Sequence, residues 1–280
     1  MLELASIPRL RAWRAAQRAA SRRIGFVPTM GHLHEGHLAL VDEARRRTDA
    51  VVLSIFVNPL QFGPGEDLDR YPRDLPRDRA LSEARGVELL FVPSVDSMYP
   101  PGMEIRVTAG ETAERWEGAA RPGHFTGVLT VVAKLLQLVQ PDLVCFGQKD
   151  IQQVTLMRRL LRDLEWPVEL AVVPTVRDPD GLALSSRNAY LSPAERQEAL
   201  ALSRGLNAAQ AAWRVGERSA TALEARVRAS VDAAPAVRAE YIAVVEPEWL
   251  RPVATAHAGT IVALAARVGT TRLIDNIILE

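Results

Sequence analysis

Residues 50–57 read Ala-Val-Val-Leu-Ser-Ile-Phe-Val, an almost unbroken apolar run of strand length. Consecutive strand residues point to opposite faces, so a run apolar at both parities must be covered on both sides. The chain around it alternates in the same way. Strands are predicted at Arg23–Val27, Ala50–Val57, Val87–Val92, Asp142–Phe146 and Val168–Val173. Helical spacing is predicted at Gly36–Arg47, Pro76–Arg85, Phe125–Val139 and Ile151–Leu164. Alternation with connections of this length implies a parallel sheet with right-handed crossovers. Ligands of such sheets bind beyond the carboxyl ends of the strands. The loops there are Pro28–Glu35, Asn58–Gly65, Gly147–Asp150 and Pro174–Arg187.

After about residue 176 the pattern changes. Asp178-Pro179-Asp180-Gly181 has turn chemistry. Ser192-Pro193-Ala194-Glu195 spells a capping box with proline at the first helical position. A helix is predicted from there to about Trp213, and a second over Ser219–Ala233. Strand-like segments follow at Arg238–Val245, Thr260–Val268 and Thr271–Ile278. The expectation is an α/β chain. Residues 1–176 should form a parallel-sheet domain, and residues 177–280 a smaller α+β domain.

Composition narrows the function. Lys plus Arg is 34 and Asp plus Glu is 34 in 280 residues, which argues against a protein that mainly neutralises nucleic-acid phosphates. Cys145 is the single cysteine, so an intramolecular disulfide and a cysteine-based zinc site are excluded. A lone cysteine fits a reducing compartment. The start MLELASIPRL carries Glu3 and has no apolar core of a secretory signal. The longest stretch without a charged side chain, Ala50–Gly65, contains Asn58, Pro59 and Gly63 and does not read as a membrane span. The tryptophans are scattered, which argues against a base-stacking platform. A soluble cytoplasmic protein is the reading these features leave.

The first predicted strand runs into Pro28-Thr29-Met30-Gly31-His32-Leu33-His34-Glu35-Gly36-His37, and a helix follows. His34 and His37 are three apart, a spacing that turns both imidazoles to one side of a helix start. Unpaired N–H groups there favour an anion, and imidazoles can stabilise negative charge that grows in a transition state. Three other readings compete. A zinc protease needs H-E-x-x-H, and the second histidine here falls one residue short. A Walker loop needs G-x-x-x-x-G-K-[ST], which the chain lacks. A plain polar turn is weakened by the pairing of two histidines directly after a strand.

Lys149 in Gly147-Gln148-Lys149-Asp150 is one of only two lysines, the other being Lys134. A cation at a helix start opposes the helix dipole unless an anion is bound beside it. Leu184-Ser185-Ser186-Arg187 offers two hydroxyls and a guanidinium suited to phosphate oxygens. Gln61 has a neutral head that both donates and accepts, and Gln153 follows Lys149 by one helical turn. His124 is either a ligand group or merely a polar residue at a helix start. Cys145 lies in an apolar strand and reads as packing.

H-x-G-H after a β-strand resembles the nucleotidylyltransferase superfamily, which includes class I aminoacyl-tRNA synthetases. Several longer stretches are more specific: FVPTMGHLHEGH (26–37), IFVNPLQFGPGEDLDRYPRDL (55–75), RPGHFTGVLTVVAKL (121–135), FGQKDIQQ (146–153), GLALSSRN (181–188) and RLIDN (272–276). In order and over nearly the whole chain, they resemble the pantoate–β-alanine ligase family. The resemblance implies a Rossmann-like first domain, a smaller lid domain hinged over the site, and a homodimer. It implies that ATP, as its Mg2+ complex, and pantoate give pantoyl adenylate and pyrophosphate. β-Alanine then takes the acyl group and releases AMP, with no prosthetic group. Met30, Gly31, His32, Leu33, His34, Glu35, Gly36 and His37 would form the ATP loop. His34, His37 and Lys149 would be catalytic. Gly147, Gln148, Asp150, Val176, Leu184, Ser185, Ser186 and Arg187 would complete ATP binding. Gln61 and Gln153 would bind pantoate, and Gln61 also β-alanine. By the same resemblance His37 would be the residue marked as proton donor. His32 stands where a small residue is usual, and Arg77 where an acidic one is common, so the protein ligands of Mg2+ are unassigned.

A nucleotidylyltransferase with a phosphorylated acceptor would leave Gln61 and Gln153 unexplained. A tRNA-charging enzyme would need an RNA-binding surface that neither length nor charge suggests. A catalytically dead nucleotide-binding scaffold sits poorly with intact His34, His37 and Lys149.

Overall fold

The computed structural model describes Met1–Glu280. In chain order its first elements are β1 (Leu2–Leu4), α1 (Ile7–Ala19), β2 (Ile24–Thr29), α2 (Glu35–Arg47), β3 (Ala50–Ile55), α3 (Leu75–Ala84) and β4 (Leu89–Phe91). Then come α4 (Val95–Met98), α5 (Glu117–Ala120), α6 (His124–Val139), β5 (Leu143–Gly147), α7 (Ile151–Asp163) and β6 (Glu169–Val173). The later elements are α8 (Pro193–Arg214), α9 (Ala220–Asp232), β7 (Val237–Val245), β8 (Ile261–Val268) and β9 (Thr271–Ile278).

Strands β1 to β6 form one six-stranded sheet in the order β1-β4-β3-β2-β5-β6. Every pairing in it is parallel. From β2 the chain builds outward to β3 and β4, then returns to place β5 on the other side of β2. That reversal is the topological switch of an open parallel sheet, and the loop leaving the carboxyl end of β2 lies at it. Five of the six residues of β3 are buried, as its apolar run requires. The side chains of Val27, Val41, Val51, Leu53, Leu90 and Leu143 pack in one core beside it.

Four elements were not expected from the sequence: β1, α1 and the single-turn helices α4 and α5. β1 is three residues long, too short to carry a period. α1 carries Arg9, Arg11, Arg14 and Arg18 and buries only Leu10 and Gln17, so its apolar stripe is too thin to register. β4 is also shorter than the expected Val87–Val92.

The chain divides into two compact units. The first contains Met1–Ala113, Arg121–Gly147 and Leu156–Pro174; the second contains Glu114–Ala120, Gln148–Thr155 and Thr175–Glu280. The last crossing lies near residue 176, but two earlier segments also belong to the second unit. That unit's sheet is three-stranded and antiparallel, in the order β7-β8-β9. Helices α8 and α9 cover it, with Leu202, Leu206, Leu223, Val227, Val262 and Leu264 in the shared core. The capping box is formed: Ser192 Oγ accepts from the Glu195 N–H at 3.2 Å, and the Glu195 carboxylate accepts from the Ser192 N–H at 2.8 Å.

In the first unit, α6 packs its Gly127 against the turn Pro59–Gln61. A β-carbon there would overlap the Leu60 carbonyl oxygen and lie 2.6 Å from the Gln61 nitrogen. Both obstacles are backbone and cannot swing away. Gly127→Ala is expected to lower unfolding free energy by about 1–3 kcal/mol, the scale of an overpacked core, measured by urea denaturation. An unchanged midpoint would show that the turn yields freely.

Candidate active site

The candidate residues fall into two sets, one in each unit. In the first unit the loop after β2 turns through Gly31 and His32, whose φ values are 84° and 50°. Left-handed backbone is easy for glycine and uncommon for other residues, although histidine is enriched there. His32 therefore fits the turn where a small residue was expected. Thr29 locks the strand end: its hydroxyl donates to the Ser54 carbonyl at 2.7 Å and accepts from the Gly31 N–H at 3.2 Å.

The helix α2 starts with histidine caps in place of hydroxyl or carboxyl caps. His34 Nδ1 accepts from the Gly36 N–H at 3.1 Å, and His37 Nδ1 accepts from the His34 N–H at 3.4 Å. The rings lie 4.0 Å apart, centroid to centroid, with a 32° tilt. An accepting Nδ1 puts the neutral ring's proton on Nε2. Both imidazoles are thereby set to donate through Nε2 at a helix N-terminus, where anions are favoured. Glu35, expected within the same loop, is exposed and paired with Arg85 at 2.6 Å.

Asp78 of α3 holds this loop from beneath and is 1% exposed. Its two carboxylate oxygens accept from the His32 and Leu33 N–H groups, each at 2.7 Å. Arg77 donates to the Leu33 carbonyl at 2.8 Å. The departure at Arg77 is thus a loop contact. No cluster of three or more His, Cys, Asp or Glu side chains suited to a metal ion is present.

Gln61 lies in a short helical turn after β3, half-buried. Its Oε1 accepts from Asn58 Nδ2 at 3.0 Å and its Nε2 approaches Met30 Sδ at 3.2 Å. Asn58 is 1% exposed and also bonds the Gly127 carbonyl, the Leu60 N–H and the Tyr99 hydroxyl. Burial pushes the Tyr99 phenol up, so it stays a proton donor. His124 Nδ1 meets the Gln61 carbonyl at 2.8 Å, and Arg121 donates to its Nε2 at 3.1 Å. Of the two readings open for His124, a structural one has direct contacts. Arg121 is also paired with Glu66 at 2.6 Å. Burial alone would raise the Glu66 carboxyl, but Arg121, with the Gly63 backbone and His124, holds the group below its ordinary value.

In the second unit, Gln148–Asp150 forms a tight turn before α7. Lys149 and Gln148 are half-buried, whereas Asp150 is exposed. The Gln148 and Lys149 carbonyls accept from Asn276 Nδ2 at 3.0 and 2.9 Å. Gln153 lies half-buried in the first turn of α7. Its neighbour Gln152 is buried and bonded to the α5 segment: Oε1 accepts from the Glu117 N–H at 3.0 Å, and Nε2 donates to the Arg115 carbonyl at 2.9 Å. Glu117 in turn accepts from Arg272 at 2.6 Å and from the Tyr241 hydroxyl at 2.8 Å. Burial pulls Arg272 down, but its bonds to Glu117 and Glu240 outweigh that and keep it above its ordinary value.

Val176 and Leu184 close a loop through a 3.0 Å bond from the Leu184 N–H to the Val176 carbonyl. Ser185 caps the following turn by accepting from the Arg187 N–H at 3.3 Å. Ser186 is buried and Arg187 half-buried. Gly147 ends β5 in the first unit, one residue before the turn. Cys145 on the same strand is fully buried, and burial pushes its thiol up to about 12. It packs, as expected. Lys134 is bonded to the Met98 carbonyl, and burial lowers its ammonium below its ordinary value.

The family model for pantoate-beta-alanine ligase matches residues 3–278. The chain belongs to the pantoate–β-alanine ligase family. Pantothenate synthetase from Roseiflexus sp. (strain RS-1) is 52% identical over 280 residues, covering 100% of both chains. The crystal structure of pantothenate synthetase from Thermus thermophilus shares 50% identity, with TM-score 0.94 and 99% of each chain covered. That of the Francisella tularensis ligase, complexed with beta-gamma ATP and beta-alanine, shares 34% identity at TM-score 0.82, covering 99% of this chain and 97% of that one.

Within this ligase the sequence reading missed Asn58, Asp78 and Asn276 as supports of the candidate residues. Only RLIDN, quoted as a matching stretch, pointed toward Asn276. Asp78→Asn in the ligase keeps the shape but turns one acceptor into a donor facing a backbone N–H. A charged hydrogen bond contributes about 1.5–3 kcal/mol. The variant is expected to unfold at lower urea by that order and to lose turnover. Full stability with full activity would free the loop from Asp78.

Proposed function

We propose that this ligase activates pantoate with ATP and passes the acyl group to β-alanine through a pantoyl adenylate. The observation that carries the reading is the pair of capped imidazoles, His34 and His37, at a helix start after the first central strand. The pantoate carboxylate attacks the α-phosphorus of ATP, and the bond to the bridging oxygen breaks to release pyrophosphate. The β-alanine amine then attacks the acyl carbon and AMP leaves. Because the substrate carboxylate is the first nucleophile, no side-chain nucleophile is needed. The buried Cys145 thiol is consistent with that chemistry.

His34 and His37 donate through Nε2 to phosphate oxygens, and the N–H groups of Met30–His37 add partial positive charge. Lys149 balances charge that grows as the α-phosphorus is attacked. Gln148, Val176 and Leu184–Arg187 hold the nucleotide, with the Ser185 and Ser186 hydroxyls and the Arg187 guanidinium on phosphate. Gly147 lets the backbone approach, and Asp150 closes the turn. Gln61 and Gln153 bind pantoate, and Gln61 also receives β-alanine. Magnesium arrives with ATP as part of the substrate. The working enzyme is a cytoplasmic homodimer. No helix is long and apolar enough to cross a membrane.

Incubation with ATP and pantoate, with and without β-alanine, tests the sequence of steps. AMP with pantothenate should require β-alanine, while pyrophosphate exchange into ATP should require only pantoate. A folded protein with neither activity would reject the reading. Lys149→Ala should lower turnover about 100- to 1,000-fold, the scale for losing one charge-stabilising donor. Gln61→Ala should raise the KM for pantoate far more than that for ATP. Equal losses would make Gln61 structural.

A further inference from the structure

Asn276 of β9 is 1% exposed, too deep to touch a substrate. Its side chain is nevertheless almost fully used, and all of it on one turn. Nδ2 donates to the Gln148 carbonyl at 3.0 Å and to the Lys149 carbonyl at 2.9 Å. Oδ1 accepts from Gln148 Nε2 at 3.3 Å. Two carbonyl acceptors leave no doubt which end of the amide is nitrogen. The two carbonyls belong to the peptide groups on either side of the Lys149 α-carbon. Holding both planes fixes φ and ψ at that residue, because the backbone has only those two soft torsions per residue. The direction in which the lysine side chain leaves the turn is thereby set.

The amide has a firm base. The Asn276 N–H donates to Asp275 Oδ1 at 2.8 Å. Asp275 is 3% exposed and takes both arms of Arg177, at 2.6 and 2.8 Å. Arg177 follows Val176 in the loop that runs to Leu184. Adjacent residues of one strand therefore brace two of the segments assigned to the nucleotide. Asn276 itself is seated on β8 opposite Ala263.

We propose that Asn276 is the positioning residue for Lys149: it acts on the first chemical step only by fixing the backbone from which the ammonium reaches. The inference rests on the reading of Lys149 as the charge-balancing group. Asn276→Ala should lower pantoate-dependent exchange of pyrophosphate into ATP about 10- to 100-fold, the scale of misplacing a reacting group by about 1 Å. The KM for pantoate should stay within about threefold, since Asn276 bonds neither Gln61 nor Gln153.

The deciding measurement is the cycle with Lys149→Ala. Once the ammonium is gone, Asn276→Ala should cost less than about threefold more, because residues acting as one unit are non-additive. If Lys149→Ala is itself harmless, the assignment of Lys149 fails and the inference falls with it. If Lys149→Ala is costly but the two losses multiply, only the inference is overturned. Circular dichroism and thermal unfolding establish folding for each protein. Asn276→Ser, which restores one small donor, serves if the alanine variant does not fold. Failure of both to fold would make Asn276 a purely structural residue and overturn the proposal.

Discussion

Every strand of the six-stranded sheet runs the same way, and the rest of the first unit follows from that constraint. Parallel neighbours cannot be joined by hairpins, so each connection must travel the length of the sheet before the next strand begins. Those connections become the covering helices, and all six carboxyl ends collect at one edge. The switch in strand order beside β2 leaves a loop there that no crossover covers. Thr29, bonded both to the Ser54 carbonyl and to the Gly31 N–H, passes the register of the sheet directly into that loop. The sharp left-handed turn at Gly31 and His32 is then held by the buried Asp78 carboxylate. The imidazoles inherit their position from a chain of short bonds that begins in the ladder.

Charge is distributed on the same principle. Equal numbers of cationic and anionic side chains conceal how differently arginine and lysine are used. Several arginines serve as planar bracing groups: Arg121 on Glu66, Arg177 on Asp275, Arg272 on Glu117 and Glu240. Bidentate geometry suits that work, because two parallel bonds resist rotation. Lysine is kept to two places. Lys134 is bonded to a main-chain carbonyl on the edge of the packed α6 helix. Lys149 stands on a turn whose carbonyls are held by the Asn276 side chain.

Much of this was readable in one dimension. The apolar run at 50–57 demanded a doubly covered strand, and β3 is one. The Ser192–Glu195 box marked the start of α8 to the residue. The histidine pair was visible because the motif and its flanking strand are contiguous. What stayed hidden depends on distance along the chain. Asp78 lies 46 positions from His32, and nothing in Pro-Arg-Asp-Arg announces a loop clamp rather than an exposed helix turn. Glu117 and Arg272 are 155 positions apart, and neither local sequence names the other. β1 and α1 were missed for another reason. Three residues are too few for a period, and a helix burying two side chains has almost no stripe to detect.

The two units are not successive lengths of chain. Glu114–Ala120 and Gln148–Thr155 leave the first stretch of sequence to join the second unit, and the chain returns each time. A fragment cut at residue 176 would therefore carry two orphaned pieces: a segment whose Glu117 lacks Arg272, and a turn whose carbonyls lack Asn276. Threading of this kind removes modularity. No single break in the chain separates the two units with every residue of each intact, so the parallel-sheet half and its companion cannot be parted by one cut.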